Sequence, residues 1–137
     1  MPRPRRILET ALYSDDAPRL VAFYRDLLQT EPMLATDRLT AFDAGQATIL
    51  LIFARGQTEA PLDLPIGRIP GHGGSASGHV AFAIDAEELG AWQTRLAELG
   101  IAVESTIRWE RGGVSLYFRD PDGRSVELVT PGLWASY

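Results

Sequence analysis

Apolar and polar residues alternate most clearly over residues 114–119 and 125–129, and a period of two is typical of a β-strand with one buried face. Between these strands, the tetrapeptide DPDG at 120–123 predicts a tight turn, because proline presets φ and glycine accepts a positive φ. Glu127 falls on the face opposite the apolar residues of its strand. A carboxylate in an apolar strand needs a cation or hydrogen-bond donors to offset its desolvation, so the pattern predicts a partner for Glu127.

The first half of the chain follows the order βαβββ. Alternation over 7–13 predicts a strand, and Pro18 marks the start of the helix that follows it. The apolar stripe of this helix consists of Leu20, Phe23, Tyr24, Leu27 and Leu28. Three short strands are then predicted over 33–36, 39–43 and 47–54, so this half forms a small sheet with one helix.

The second half repeats this order after a segment rich in proline and glycine. Residues 55–78 predict a linker or a mobile flap over a site. A strand over 79–84 follows, and residues 85–88 (DAEE) predict a capping box at the start of a helix that Gly100 ends. A strand over 101–109 then leads into the C-terminal hairpin.

The two halves predict two copies of one βαβββ module, since neither copy could bury its sheet face alone. Module 1 covers about residues 5–55 and module 2 about residues 79–134, with the glycine- and proline-rich loop at 56–78 between them. A chain of 137 residues is the size of one domain, so we expect a single α+β domain over residues 1–137. In it, the modules form a curved mixed sheet around a central concavity, and the helices cover the outer face.

Aligning the two modules brings four positions into correspondence on the sheet faces that the helices leave uncovered. Aligned hairpin turns place Leu50 on Glu127, and aligned first strands place Glu9 on His79. The same faces carry Phe42, Tyr117 and Arg119. Imidazole and carboxylate groups bind divalent cations, whereas a leucine side chain does not. The alignment therefore predicts a metal site of one histidine and two carboxylates, namely Glu9, His79 and Glu127. The alternative is a histidine hydrogen bonded within the fold and a solvated glutamate after the turn.

The composition narrows the function classes. The net charge of −5 argues against a nucleic-acid-binding protein, which is normally basic. No cysteine is present, which excludes disulfides, thiolate metal sites and a cysteine nucleophile and is compatible with a reducing cytoplasm. No apolar run approaches the roughly 20 residues of a membrane-spanning helix. We therefore expect a cytoplasmic protein that binds a small molecule and has neither a nucleic-acid nor a membrane partner.

Three stretches resemble one known group of proteins. GHVAFAI at 78–84, YFRDPDGRSVEL at 117–128 and ILETALYSDDAPRLVAFYRDLL at 7–28 are similar to segments of the vicinal oxygen chelate superfamily. This superfamily includes glyoxalases, bleomycin-resistance proteins and ring-cleaving dioxygenases. The resemblance implies paired βαβββ modules, a divalent metal ion and a homodimer with its sites at the interface. The DPDG turn and the glutamate after it are specific for the superfamily but not for the reaction.

The resemblance also implies roles for individual residues. The ligand positions of the family fall on Glu9, Leu50, His79 and Glu127. Glu9 stands where many members have histidine, and Leu50 stands where glyoxalase I proteins have a glutamate ligand. The remaining oxygen-rich set suits Mn²⁺, Fe²⁺ or Mg²⁺, and Zn²⁺ and Ni²⁺ also fit. The metal would polarise a bidentate oxygen substrate, with Glu9 or Glu127 as the catalytic base.

Two interpretations of the pocket stay open. In the first, the protein is a metal-dependent lyase or dioxygenase that acts on a small oxygenated substrate; in the second, it is a non-catalytic protein that sequesters an aromatic or cationic drug. The candidate substrate-binding residues are Phe42, Leu50, His72, Trp109, Tyr117 and Arg119. Trp109 and Tyr117 fit either pocket lining or packing, and Arg119 fits either an anionic substrate or a cross-strand partner. His72 fits a general acid or base that closes over the site, or a solvated loop residue.

Overall fold

Each half of the chain forms its own four-stranded mixed sheet with one long helix. In the computed structural model, which describes residues 1–137, the chain divides into two compact units, residues 1–76 and 77–137. The first unit contains β1 (Glu9–Ser14), α1 (Ala17–Leu28), β2 (Leu34–Ala35), β3 (Leu39–Asp43), β4 (Ile49–Ala54), β5 (Leu62–Leu64) and β6 (Gly67–Ile69). The second contains β7 (His79–Ala83), a 3-10 turn (Ala86–Glu88), α2 (Leu89–Glu98), β8 (Ser105–Arg108), β9 (Val114–Arg119) and β10 (Ser125–Val129). The predicted α+β class is confirmed.

The two sheets have the same strand order and the same strand directions. The order is β1-β4-β3-β2 in the first sheet and β7-β10-β9-β8 in the second. The strand that comes first along the chain in each four-stranded sheet runs parallel to the one that comes last, β1 to β4 and β7 to β10, and the other neighbours are antiparallel. The predicted βαβββ repeat is therefore confirmed, and equivalent residues of the two units follow from the strand registers.

These registers correct the predicted alignment of the modules by one residue. The residue paired with His79 lies two positions before Glu127, and the residue paired with Glu9 lies two positions before Leu51. Leu51, and not Leu50, is therefore the equivalent of Glu127. The equivalence of Glu9 and His79 holds, because Glu9 opens β1, the parallel neighbour of β4, and His79 opens β7, the parallel neighbour of β10.

The sequence-based alignment of the hairpin turns is wrong because the matched aspartates occupy different places. Asp43 is the last residue of β3, whereas Asp120 lies in the turn beyond β9. A one-residue slip moves a whole strand to the other face of its sheet. Phe42 and Leu50 therefore lie on the face that α1 covers, with 0% and 1% of their surface exposed. This burial removes both residues from the candidate substrate-binding set.

The core of each unit lies between its sheet and its helix. In the first unit it consists of Leu12, Leu20, Tyr24, Leu27, Phe42, Leu50 and Ile52. In the second unit it consists of Val80, Ile84, Leu96, Leu116, Phe118, Val126 and Leu128. The strand residues among these occupy the helix-covered face of each sheet, so the opposite face carries the remaining strand side chains, both polar and apolar.

The helix ends show which local signals act. The Asp16 carboxylate accepts a hydrogen bond of 3.2 Å from the backbone N–H of Arg19 at the start of α1. The predicted capping box at Asp85 is wrong, because its side chain makes no capping bond and the backbone N–H of Glu88 bonds to the Asp85 carbonyl in the 3-10 turn. Gly100, with φ of +70°, follows α2 as predicted. Neither helix has the length and apolar content needed to cross a membrane.

The segment predicted as a linker or flap is tied into the first unit. Strands β5 and β6 form an antiparallel hairpin, and the Arg68 guanidinium donates to the Asp63 carboxylate at 2.6 Å. Further along, the backbone N–H of His72 donates to the Thr58 carbonyl at 2.8 Å, and the Thr58 hydroxyl donates to the His72 carbonyl at 2.7 Å. Thr58 is fully buried, so these two hydrogen bonds anchor the glycine-rich stretch around His72.

Candidate metal centre

An imidazole and a carboxylate face each other in the second unit. His79 opens β7, and Glu127 lies in β10, the parallel neighbour of β7. His79 Nε2 lies 3.2 Å from Glu127 Oε1. Only 5% of the Glu127 side chain is exposed, whereas 50% of the His79 side chain is exposed. The partner that the apolar strand pattern predicts for Glu127 is thus an imidazole with one side open.

The second ring nitrogen of His79 defines what Nε2 presents to the carboxylate. Nδ1 lies 3.1 Å from the backbone carbonyl oxygen of Ser125. Because a carbonyl oxygen only accepts hydrogen bonds, Nδ1 carries a proton. In the neutral ring, Nε2 then directs a lone pair at Glu127 Oε1, and two electron-rich atoms at this distance repel each other. A second proton on the ring or a metal cation between the two groups removes that repulsion.

The other carboxylate oxygen of Glu127 is held by strand β9. The Ser115 hydroxyl donates to Glu127 Oε2 at 2.5 Å, and the indole N–H of Trp109 donates to the Ser115 hydroxyl oxygen at 2.8 Å. Ser115 is fully buried and Glu127 is 4% exposed. These bonds fix the carboxylate plane and offset part of the cost of burying its charge.

Tyr117 completes the polar face of this sheet. It lies directly opposite Glu127 in the β9–β10 register, and its ring stacks on the His79 ring with 6.3 Å between centroids and 25° between planes. Burial of the phenol, followed by the negative charge of Glu127, raises the pKa of Tyr117 above its usual value. The phenol therefore stays protonated at neutral pH, and its hydroxyl lies within hydrogen-bonding reach of Ser115 and Glu127.

The donor set of this pair fits a divalent metal ion. Histidine ligands in metal sites usually donate the other ring N–H to a carboxylate or a backbone carbonyl, as Nδ1 of His79 does here. Two ligand atoms about 2.1 Å from one cation, at a right angle, lie about 3 Å apart, which is close to the 3.2 Å between His79 and Glu127. In neither unit do three or more histidine, aspartate or glutamate side chains cluster in a way that could hold a metal. The pair thus offers two donor atoms on one sheet face, and their role as metal ligands stays a prediction.

The predicted third ligand, Glu9, belongs to the first unit. It opens β1, is exposed and lies opposite Ile49. Its face is the one that α1 leaves uncovered, because the buried Leu12 has the opposite side-chain direction in the same strand. An exposed carboxylate is free to bind a cation, and the role of Glu9 as ligand or base stays a prediction.

Arg119 has an acidic partner. Its guanidinium makes two bonds to Glu104, Nε to Oε2 at 2.8 Å and Nη2 to Oε1 at 3.3 Å. Hydrogen bonding to Arg119 and its positive charge lower the pKa of Glu104. The Arg119 guanidinium is thus bonded to an acidic partner, and its role as a substrate-binding residue stays a prediction.

His72 lies in an aromatic group of the first unit. The Tyr13 hydroxyl and His72 Nδ1 are hydrogen bonded at 2.6 Å, and the His72 ring meets the Phe53 ring edge-on, with 4.9 Å between centroids. Tyr13 and Phe53 also stack, at 5.7 Å. The interpretation of His72 as a freely solvated loop residue is therefore wrong, because its ring is half-buried and hydrogen bonded.

Ser115 is the site residue that the sequence analysis missed. The signal for it exists in the sequence, because Ser115 and Tyr117 share one face of a strand that pairs with the strand of Glu127. A small hydroxyl on that face has the size and chemistry to donate to the carboxylate. Trp109 lies outside the alternation of β9, and its hydrogen bond to Ser115 depends on the path of the turn between β8 and β9.

Comparison with known proteins decides the family. The model of the glyoxalase/bleomycin resistance protein/dioxygenase superfamily matches residues 6–128. The chain belongs to this superfamily. A crystal structure of a lactoylglutathione lyase from Agrobacterium tumefaciens is similar to it, with 40% sequence identity and a TM-score of 0.85, and the match covers 96% of this chain and 98% of that one. The family resemblance of the three sequence stretches is thereby confirmed.

Curated members of the superfamily give a second line of similarity. The metallothiol transferase FosB of Shouchella clausii is 29% identical over 114 residues, which is 82% of this chain and 70% of that protein. The metallothiol transferase FosB of Bacillus licheniformis is 43% identical over 53 residues, which covers 38% of this chain but only 34% of that protein. The similarity to the Bacillus protein is thus confined to about a third of its length.

Proposed function

We propose that the chain is a metal-dependent enzyme whose metal centre is built on His79 and Glu127, with Glu9 as the third protein ligand. The observation that carries this proposal is the Nε2 atom of His79, which faces Glu127 Oε1 at 3.2 Å while Nδ1 is committed to a carbonyl oxygen. Membership of the superfamily over residues 6–128 supports a metal at this point. Glu9 comes either from the same chain or from the partner in a homodimer.

In this proposal the chain's own residues bind, orient and donate. Ser115 holds Glu127 so that one carboxylate oxygen points at His79. The protonated phenol of Tyr117, stacked on the imidazole, donates to a substrate oxygen. A bound divalent cation would act as a Lewis acid that polarises that oxygen. The exposed carboxylate of Glu9 is the candidate base, and Trp109 and His72 are the candidate substrate-binding residues.

The substrate class we propose is a small oxygenated compound that reacts with, or is joined to, a thiol. The names of these similar proteins refer to thiol compounds, glutathione in the lactoylglutathione lyase and a thiol in the metallothiol transferases. These similarities favour a lyase or a thiol transferase over a ring-cleaving dioxygenase. Since the chain has no cysteine, the thiol would come from the substrate or a second substrate.

Metal content tests the proposal. The protein is purified without chelators, or reloaded with Mn²⁺, Co²⁺, Ni²⁺ and Zn²⁺ in separate samples. We expect it to hold metal at a fixed molar ratio to protein. We expect His79→Ala and Glu127→Gln to lose that metal, and Glu104→Gln, which changes an exposed carboxylate of the same unit, to keep it. Turnover of lactoylglutathione by the loaded wild type would then assign the lyase class.

Two results would contradict the proposal. Unchanged metal content in both His79→Ala and Glu127→Gln would exclude the pair as the centre. Tight binding of an aromatic drug by metal-free protein, without turnover of any thiol compound, would instead support the drug-sequestering interpretation.

A further inference from the structure

Beyond the ligands themselves, we infer that Ser115 and Trp109 are positioning residues that set which oxygen of Glu127 faces the metal. This inference rests on the proposed role of Glu127 as a ligand. Neither residue touches the proposed cation position in this scheme. Both act through the carboxylate by a directed chain of hydrogen bonds, from indole to hydroxyl to carboxylate.

The direction of that chain follows from the chemistry of its first member. An indole N–H only donates, so Trp109 Nε1 gives its hydrogen to the Ser115 hydroxyl oxygen at 2.8 Å. The hydroxyl hydrogen of Ser115 is then directed away from the indole. Glu127 Oε2 lies 2.5 Å from that hydroxyl oxygen and receives the hydrogen. Trp109 thus orients Ser115 as a donor, and Ser115 holds one oxygen of the carboxylate.

The held oxygen determines the orientation of the free one. With Oε2 bonded to Ser115, Oε1 is the atom left to face His79 Nε2 at 3.2 Å. Ser115 is fully buried and Glu127 is 4% exposed, so a water molecule has little access with which to replace the serine. Loss of the hydroxyl would free the carboxylate to rotate or to bind a cation through both oxygens.

The register also shows that the arrangement is particular to the second unit. At the positions equivalent to Ser115 and Glu127, the first unit has Leu39 and Leu51. The pairing of the two equivalent strands in the first unit needs neither a hydroxyl nor a carboxylate at these positions. The serine and the glutamate occur together, and both aim at the histidine face of the sheet.

Binding of Co²⁺ by full-length protein tests the inference, because its visible absorption reports ligand geometry independently of activity. We expect Ser115→Ala to weaken Co²⁺ affinity about 10- to 100-fold, as loss of an outer partner of a metal ligand typically does, and to change the absorption spectrum at saturation. Trp109→Phe keeps a ring but loses the donor, and we expect a smaller loss with a spectral change in the same direction. Ser115→Thr, which retains the hydroxyl, is expected to restore the affinity and spectrum.

Matched controls separate positioning from a general effect on folding. Ser136→Ala removes an exposed hydroxyl in the C-terminal turn, and Trp92→Phe changes a tryptophan of α2 that stacks against Arg95. Both are expected to match the wild type in affinity and spectrum. The thermal midpoint of each metal-free variant shows how much of its effect is structural.

Each outcome decides between the two proposals. If the wild type binds Co²⁺ and Ser115→Ala binds it with the same affinity and spectrum, the positioning role is overturned and the metal centre stands. If Ser115→Ala does not fold, Trp109→Phe decides, and wild-type affinity together with a wild-type spectrum overturns the role. If the wild type does not bind Co²⁺ or any other divalent ion, the metal centre fails and the positioning role fails with it.

Discussion

The two units share one topology but differ in the chemistry of the sheet face that their helices leave uncovered. In the second unit, β9 and β10 carry Ser115, Tyr117 and Glu127 on this face. The equivalent residues of the first unit are Leu39, Ala41 and Leu51. The backbone is thus repeated, whereas the buried carboxylate and the groups that hold it occur once.

The first unit uses its uncovered face for aromatic packing. Tyr13 and Phe53 lie opposite each other in the β1–β4 register and stack, and His72 closes against both rings. The chain approaches Tyr13 closely at Gly74, where an added Cβ would come within 2.5 Å of the ring. The comparison teaches that one fold supports a polar site and an aromatic wall by exchange of a few residues on equivalent strands.

The largest expected effect tests which face of the first sheet is buried. Phe42→Ala is expected to lower the free energy of unfolding by about 3–5 kcal/mol, because it leaves a cavity beneath α1. Its equivalent in the second unit, Phe118→Ala, should cost a similar amount, since both phenylalanines are fully buried. Chemical denaturation measures both. A Phe42→Ala protein of wild-type stability that binds substrate poorly would restore Phe42 to the pocket and contradict the register.

The next effect exchanges the chemistry of the two units. Glu127→Leu gives the second unit the residue type that the first has at Leu51. We expect metal affinity to fall by at least about 100-fold, because a ligand is lost. Thermal stability without metal is expected to fall, because the fully buried Ser115 hydroxyl loses the carboxylate that accepts its hydrogen bond. Calorimetric metal titration and a thermal melt measure the two quantities. Retained affinity would contradict the ligand role.

A smaller effect tests the aromatic group of the first unit. Tyr13→Phe keeps the stacking on Phe53 and removes the hydroxyl that is 2.6 Å from His72 Nδ1. We expect a loss of about 1 kcal/mol in the free energy of unfolding, the usual net contribution of a neutral hydrogen bond. Metal affinity of the second unit should not change. A large loss of metal affinity in Tyr13→Phe would show that the two faces do not act separately.

The smallest effect concerns alkaline pH. The pKa of Tyr117 is raised in the folded protein, so above the ordinary tyrosine pKa the unfolded chain loses this proton first. Stability from this group is therefore present below about pH 10 and falls as pH rises toward the folded pKa. We expect the free energy of unfolding to fall less steeply with pH in Tyr117→Phe than in the wild type. The pKa of Tyr137 is also raised, so Tyr137→Phe serves as the comparison variant. Equal slopes in wild type and Tyr117→Phe would contradict the assignment.

Much of the fold follows from the sequence because its signals are local. Alternation with period two predicts β9 and β10 to the residue, and helical spacing with Pro18 predicts α1. The β5–β6 hairpin escapes this reasoning, since strands of three residues beside Pro65 are too short for a period to show. Gly100 correctly predicts the end of α2, because glycine adopts the positive φ found after the helix at no steric cost.

The candidate site follows from the sequence only in part. His79 and Glu127 are predicted on one sheet face because they lie on the first and last strands of the same module. In the structure these strands are parallel neighbours. The status of Phe42 and Leu50 depends on a register that differs by one residue, and similar turn sequences do not fix that register. The hydrogen bonds of Ser115 and Trp109 require side chains from separate strands and a turn to be placed within hydrogen-bonding distance of each other. Sequence spacing does not supply that placement.

Anomalous scattering from crystals loaded with Co²⁺ tests the central claim most directly. The account predicts one strong peak within bonding distance of His79 Nε2 and Glu127 Oε1, with a Glu9 carboxylate from the same or the partner chain as a further ligand. A fully loaded crystal with its peak elsewhere, and with His79 bonded only to the Glu127 carboxylate, would contradict it.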